Sequence, residues 1–269
     1  MSFDDLVIDV DDFDAVYVPE ERSHDLGADM CAGHVDGHED PGGATAPTTH
    51  PESLTVARAS GPDVSDFQPS VDWHKVQAAG HDIGIAKASE GLTWRSRLFP
   101  RRWAAIADAG LIRGAYHFAR PQPGRSGRDE ATAFLAVVNA AGGFRPGDLR
   151  PILDIEAFGS APLSPQKTLR FAYDFAVAVK EEVGRLPIIY TGAFWRDRMG
   201  NPNNSLGCHL WLAAYVRDPT PFIPVAWQAT SWSMWQHTSK GTCPGIPTPC
   251  DLNVVRAGDT LGKLRLPAA

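Results

Sequence analysis

The sequence is poor in cysteine, in long apolar runs and, over its first sixty residues, in positive charge. Four cysteines in 269 residues are too few for a disulfide-built scaffold, so a fold here must rest on a hydrophobic core. Only Cys243 and Cys250 stand close together, in CPGIPTPC, a spacing that leaves a disulfide and two free thiols both open. No apolar run approaches the roughly 20 residues that span a bilayer as a helix, so no membrane partner is expected. The start, MSFDDLVIDVDDF, lacks the basic segment and continuous apolar stretch of a secretory signal peptide. A phosphate-binding loop and a dinucleotide fingerprint are missing as well, and Ser65 has no GxSxG setting, which leaves nucleotide-dependent and serine-hydrolase chemistry without support. No period of 20 to 50 residues recurs, which argues against a repeat array.

What is present divides in two. Residues 1–60 hold 2 Lys+Arg against 14 Asp+Glu, whereas residues 61–269 hold 23 against 18, so the formal net charge of −7 separates into −12 and +5. A mildly basic body favours encounter with a polyanion such as the bacterial wall. Nucleic acid is not expected as a partner, because no dense Lys/Arg cluster or binding motif accompanies the charge. Residues 20–60 are rich in Gly, Pro, Asp, Thr and His with little apolar periodicity and read as a linker or arm, while 3–18 alternate apolar and acidic residues as a strand or docking segment would. Cys31, His34 and His38 beside Asp36 form a C-x2-H-x3-H grouping of borderline metal ligands. With no second half it reads as a polar tail rather than a zinc site. The expected organisation is an acidic, largely irregular extension over 1–60 and one body over 61–269.

At 43% hydrophobic and 21% charged, the chain has globular composition. In the body, β-like runs at 63–65, 83–88, 114–118, 152–156, 187–191 and 210–215 alternate with helical stripes, the pattern of βα units around a parallel sheet. Trp103, Ile106, Ala107 and Gly110 form one stripe, and Phe134, Val137, Val138 and Ala141 a second. Ala172, Phe175, Ala176, Val179 and Val183 form a third. Pro165 after Ser164 suits the first turn of the third helix and Gly184 its end. After Tyr215 the helical pattern stops: AWQATS and WSMWQHT read as adjacent strands, and CDLNVV as a last one. A barrel of about eight strands whose final third is mostly strand fits this body.

Within RPILDIEAF, Asp154 and Glu156 lie two residues apart on one strand and so face the same side. In a parallel barrel the C-terminal strand ends form the active-site rim, where both acids would meet the pocket. Glycosidic hydrolysis needs one carboxyl kept protonated and a second kept charged, and two acids forced together separate in pKa in that way. From spacing alone, a cation site or a salt bridge to arginine fits the pair as well. Asp63 in GPDVSDFQ and Asp251 in CDLN are further acids at strand ends, each weak singly because Asp commonly caps a turn. Lys87 and Glu90 read as a structural ion pair, and His117 as a hydrogen-bonded strand histidine rather than a metal ligand. Trp235 and Gln236 are candidates for sugar contact, since aromatic faces stack on sugar rings; the tryptophans at 195, 211, 227 and 232 read as core or barrel wall.

The strings DVSDFQPSVDW, IAKASEG, GAYHFARP, LDIE, IYTG, LWLAAY, MWQHT and DLN, in this order, resemble the family 25 glycoside hydrolases, lysozymes that include the Streptomyces and Chalaropsis-type muramidases. The likeness covers about residues 61–255. It implies a flattened (β/α)5(β)3 TIM-like barrel and hydrolysis, without metal or organic cofactor, of the β-1,4 bond from N-acetylmuramic acid to N-acetylglucosamine in bacterial peptidoglycan. By position within the motifs, Glu156 corresponds to the general acid and Asp154 to its partner carboxylate. Asp63 and Asp251 match the first- and last-strand acids, and Tyr116 and Tyr190 would line the subsite of the cleaved sugar. The sequence departs from the family where Asp66 and Phe67 replace a pair usually ending in Trp, and where Cys250 replaces an aliphatic residue. The competing reading is a catalytically silent peptidoglycan-binding or virion structural module on the same barrel; hydrolysis of another N-acetylated glycan such as chitin is a third. The absence of a signal peptide fits a bacteriophage endolysin held in the host cytoplasm until a pore releases it, or a virion-associated lysin whose extension docks on a phage structural protein.

Overall fold

The computed structural model describes residues 58–157 and 162–267, all within a compact unit spanning Pro51–Ala269. Residues 1–57 of the acidic extension, with the Cys31, His34 and His38 grouping, lie outside the described residues. The apolar runs become strands β1 (Ser60–Val64), β2 (Ile83–Glu90), β3 (Trp94–Arg95), β4 (Ile112–Phe118), β5 (Ile152–Asp154), β6 (Ile188–Thr191), β7 (His209–Ala213), β8 (Met234–Cys243) and β9 (Ile246–Val255). The stripes become helices α1 (Trp73–Ala78), α2 (Phe99–Asp108), α3 (Gly127–Ala140) and α4 (Pro165–Val183), with a short α5 (Thr260–Leu264) near the end.

The strand order is β1-β9-β8-β7-β6-β5-β4-β2-β3, and β1 pairs with β2 to close eight strands into a barrel. Strand β3 is a two-residue antiparallel flap on β2. Neighbours are parallel from β1 round to β8, and β9 runs antiparallel between β8 and β1. Helices follow the first four barrel strands; after β6 a single π turn, Phe194–Arg198, takes the helix's place, and β7, β8 and β9 complete the (β/α)5(β)3 order.

Both faces of β2, β4, β5, β6 and β7 are largely buried, which is why they read as nearly continuous apolar runs. Ile83, Ile85, Ile152, Ile188, Trp211, Met234 and Val255 fill the barrel interior. The opposite faces pack on the helices through Ala86, Ala115, Leu153, Ile189 and Leu210 against Trp103, Ile106, Phe134, Phe175 and Val179. Helix α4 has the expected ends: the Ser164 hydroxyl accepts from Lys167 N at the N-cap, Pro165 opens the helix, and Gly184 closes it at φ 74°.

Three sequence expectations are corrected. In α2 the buried stripe is Phe99, Arg102, Trp103 and Ile106, one turn earlier than expected, because the helix starts at Phe99 with Pro100 in its first turn; Ala107 and Gly110 are exposed. AWQATS is not a strand. Val225–Trp227 form a 3-10 turn after Pro224, and the Trp227 indole, buried, donates to the Cys208 carbonyl at 2.8 Å. Strand β5 ends at Asp154 and leaves Glu156 just beyond the ladder. CDLNVV does form strand, as the second half of β9, which joins β8 through Pro244 and Gly245, the latter at φ 94°. Cys243 and Cys250 in this hairpin are buried free thiols.

Candidate active site

Strand periodicity builds the site. Inward-facing positions recur every second residue, and one step toward the same end of the barrel each apolar residue gives way to a polar one. On β2, Ile83 and Ile85 are followed by Lys87; on β5, Ile152 by Asp154; on β6, Ile188 by Tyr190; on β8, Met234 by Gln236. Strand β9 runs the other way and presents Asp251 and Asn253 before Val255. These polar positions lie toward the C-terminal ends of the parallel strands, where barrel sites are built.

Asp63 and Asp251 are direct partners across the β1–β9 ladder, and Asp154 pairs in register with Tyr190. Asp63 and Asp154 are each only 5% exposed, whereas Glu156 and Asp251 are half-buried at the rim. The four acids act on one another. Burial raises the Asp63 carboxyl to about 6, opposed by hydrogen bonds from Asn253 and Gln236. Burial drives Asp154 well above the usual carboxylate range, and the neighbouring Glu156 drives it further. Glu156 is also raised by burial, against a hydrogen bond from Tyr190, with Asp63 adding to the rise. Asp251 is pushed to about 8 by burial and then by Asp63 and Glu156. Like charges crowded in a half-dry site cannot all ionise, so the cluster retains protons at neutral pH.

Phenols and amides line the acids. Tyr116, buried, feels all four carboxylates, and Tyr190 feels Glu156, Asp154 and Asp63; burial raises both hydroxyls, which therefore stay neutral donors. The Tyr190 and Tyr215 hydroxyls lie within hydrogen-bond distance of Gln236 Oε1, at 2.9 and 2.8 Å, and the Tyr190 hydroxyl is shared between Gln236 and Glu156. Gln236 Nε2 donates to Asp63 Oδ2 at 3.0 Å, and Asn253 Nδ2 donates to the same oxygen at 2.8 Å. The one nearby cation on β2, Lys87, is tied to Glu90 at 2.6 Å, and Arg120 grips the other Glu90 oxygen at 2.6 Å. That pair is structural, as expected, yet Lys87 also draws Asp154 and Glu156 downward. No group of three metal-ligating side chains occurs among the described residues.

The sequence profile described as Glycosyl hydrolases family 25 matches residues 62–246. Lysozyme M1 of Streptomyces globisporus is 32% identical over 216 residues, covering 76% of this chain and 71% of that protein. Among solved structures, the bacterial lysozyme from Streptomyces coelicolor superposes with a TM-score of 0.69 at 28% identity, over 78% of this chain and 96% of that one. The family GH25 lysozyme from Aspergillus fumigatus gives 0.67 at 31% identity, over 78% and 99%.

The chain belongs to glycosyl hydrolase family 25.

In this family 25 barrel the fold brings together six of the seven residues singled out in the sequence: Asp63, Asp154, Glu156, Asp251, Tyr116 and Tyr190. Trp235 stands apart. It occupies the face of β8 opposite Gln236, its indole donates to the Ala214 carbonyl, and it packs beside Trp232 in the outer layer at 3% exposure. The sequence reading couples Trp235 with Gln236 as sugar contacts, but adjacent strand residues point to opposite faces. Tyr215 and Asn253 go unnoticed in the sequence, although Asn253 lies two residues from Asp251 and so on its face.

The departures from the family pattern are accommodated. Asp66 accepts from Ser96 Oγ at 2.6 Å and pairs with the buried Arg102 at 3.3 Å, which pins the β1–α1 loop, while Phe67 is 87% exposed. His117 is enclosed, with Ser89 Oγ on Nδ1 and Glu130 on Nε2, both at 2.9 Å. The tryptophans at 195, 211, 227 and 232 are all buried.

Proposed function

We propose that this protein is a peptidoglycan hydrolase, an N-acetylmuramidase that cuts the β-1,4 bond between N-acetylmuramic acid and N-acetylglucosamine. The observation that carries the reading is the convergence of Asp63, Asp154, Glu156 and Asp251 at the mouth of a family 25 barrel. A neutral carboxyl and a charged one side by side are what acid-assisted glycoside cleavage needs. Relatives named as lysozymes point to the same substrate.

We assign Glu156 as the general acid. It stands beyond the strand end at the rim, half-exposed, where a glycosidic oxygen can reach it, and its surroundings favour the protonated form. Its proton passes to that oxygen as the bond to C1 breaks. Asp154 lies deeper, and its Oδ1 is buried without a hydrogen-bond partner among the described residues. That oxygen is free to meet the positive charge that develops at C1 or the N–H of the substrate's acetamido group. Tyr116 and Tyr190 form the floor beneath the cleaved sugar. Water then takes the place of the leaving sugar, and its proton returns to the carboxylate cluster.

The test is digestion of purified peptidoglycan followed by reduction and identification of the new chain ends. Reduced muramic acid is the expected end. Reduced glucosamine ends would replace the muramidase by a glucosaminidase, and binding without any new ends would establish a silent sugar-binding barrel.

A further inference from the structure

The hydrogen bond from Asn253 to Asp63 has a fixed direction. The Trp211 indole N–H can only donate, and it meets Asn253 Oδ1 at 2.8 Å; this turns Asn253 Nδ2 toward two acceptors, the Gly61 carbonyl at 3.1 Å and Asp63 Oδ2 at 2.8 Å. Both hydrogens of that amide are thereby used. On the other side, Gln236 Oε1 faces the Tyr190 and Tyr215 hydroxyls, and its Nε2 donates to Asp63 Oδ2. Two amides from different strands, both buried, thus converge on one oxygen of a carboxylate that is itself buried. Donors of this kind favour the ionised acid and hold its plane, whereas burial favours the neutral one.

We propose that Gln236 and Asn253 are positioning residues for the reaction: together they hold Asp63 oriented and charged, so that the protons retained by the cluster reside on Glu156 and Asp251. This rests on the reading of Asp63 as part of the catalytic group. The charged and titratable groups that face Asp63 are Asp251 and Cys250 on β9, Asp154 and Glu156 at the end of β5, Tyr116 on β4, Tyr190 on β6 and Tyr215 after β7. Lys87 on β2 reaches Asp154 and Glu156. None of these acids places a donor on Asp63 in its ionised form, so the two amides are its side-chain stabilising partners, beside its own backbone N–H.

The experiment follows the Asp63 carboxyl carbon by NMR titration, and kcat/KM against pH on peptidoglycan, in wild type, Gln236→Met, Asn253→Leu and Asp63→Asn. In wild type Asp63 is expected to titrate near 6. Loss of one charge-assisted donor is expected to raise that midpoint by about one pH unit or more, and the acidic limb of the activity profile should move with it. Tyr215→Phe removes a donor to Gln236 while leaving both N–H groups on Asp63, and should shift the midpoint less. Should Asn253→Leu fail to fold, Gln236→Met carries the test alone. An unmoved midpoint in folded Gln236→Met, or activity lowered by one factor at every pH, overturns the proposal. Wild-type turnover by Asp63→Asn overturns instead the reading of Asp63 on which it rests; an inactive Asp63→Asn with unmoved midpoints overturns the positioning role alone.

Discussion

Each acid in the cleft is held in an environment that disfavours its charge, and that has a cost in stability with a definite sign. Asp251 titrates near 3.8 when unfolded and about 8 when folded. Between those values the folded chain holds a proton that the unfolded chain releases, so stability falls as pH rises from about 4 to about 8. Below that window both forms are neutral and nothing is lost. Asp251→Asn removes the titration. The variant should therefore melt higher than wild type at pH 8 by several degrees, with the gap closing near pH 4, while losing activity. Calorimetry at the two pH values decides this, and equal melting temperatures at pH 8 would show that burial of Asp251 carries no such penalty. The tight, charge-crowded site is the expected place for stability to be given up to function.

Packing between elements supplies the rigidity that this crowding requires. Helices α3 and α4 approach so closely at Gly127 that an added Cβ would overlap the Phe171 carbonyl oxygen. Gly127→Ala is expected to destabilise by about 1–3 kcal/mol through overpacking, measured by urea denaturation; a change below a few tenths would mean the two helices separate freely. This contact spans 44 residues of sequence and is invisible in the stripes, although the stripes themselves were legible: Phe134, Val138, Phe175 and Val179 are all buried. The strands were legible for the same reason, since runs buried on both faces are continuous and short. AWQATS misled because alternation alone outweighs the Pro224 that precedes it, and because a tryptophan buried by a turn looks like one buried by a strand. The acids were readable as a set through their motifs, and Asp154 with Glu156 through strand period. Gln236 as a partner of Asp63 was not readable, because 173 residues separate them and only barrel closure sets the register.

At the scale of the molecule, closure is what makes the site. Pairing of β1 with both β2 and β9 brings Asp63, near the start of the described chain, against Asp251, near its end. Asp63, Asp154 and Asp251 thus belong to strands far apart in sequence, and an intact barrel is a precondition for activity. Glu156 itself lies past the β5 ladder and takes no part in that closure, so its carboxyl can be removed without opening the barrel. The most direct measurement is therefore the release of reducing ends from purified peptidoglycan by wild type and by Glu156→Gln, with circular dichroism and melting temperature confirming that both are folded. The expected result is muramic acid ends from wild type and a rate lowered by about 10²–10⁴-fold in a variant of native spectrum. Undiminished release by folded Glu156→Gln would contradict the assignment of Glu156 as the acid that cleaves the bond.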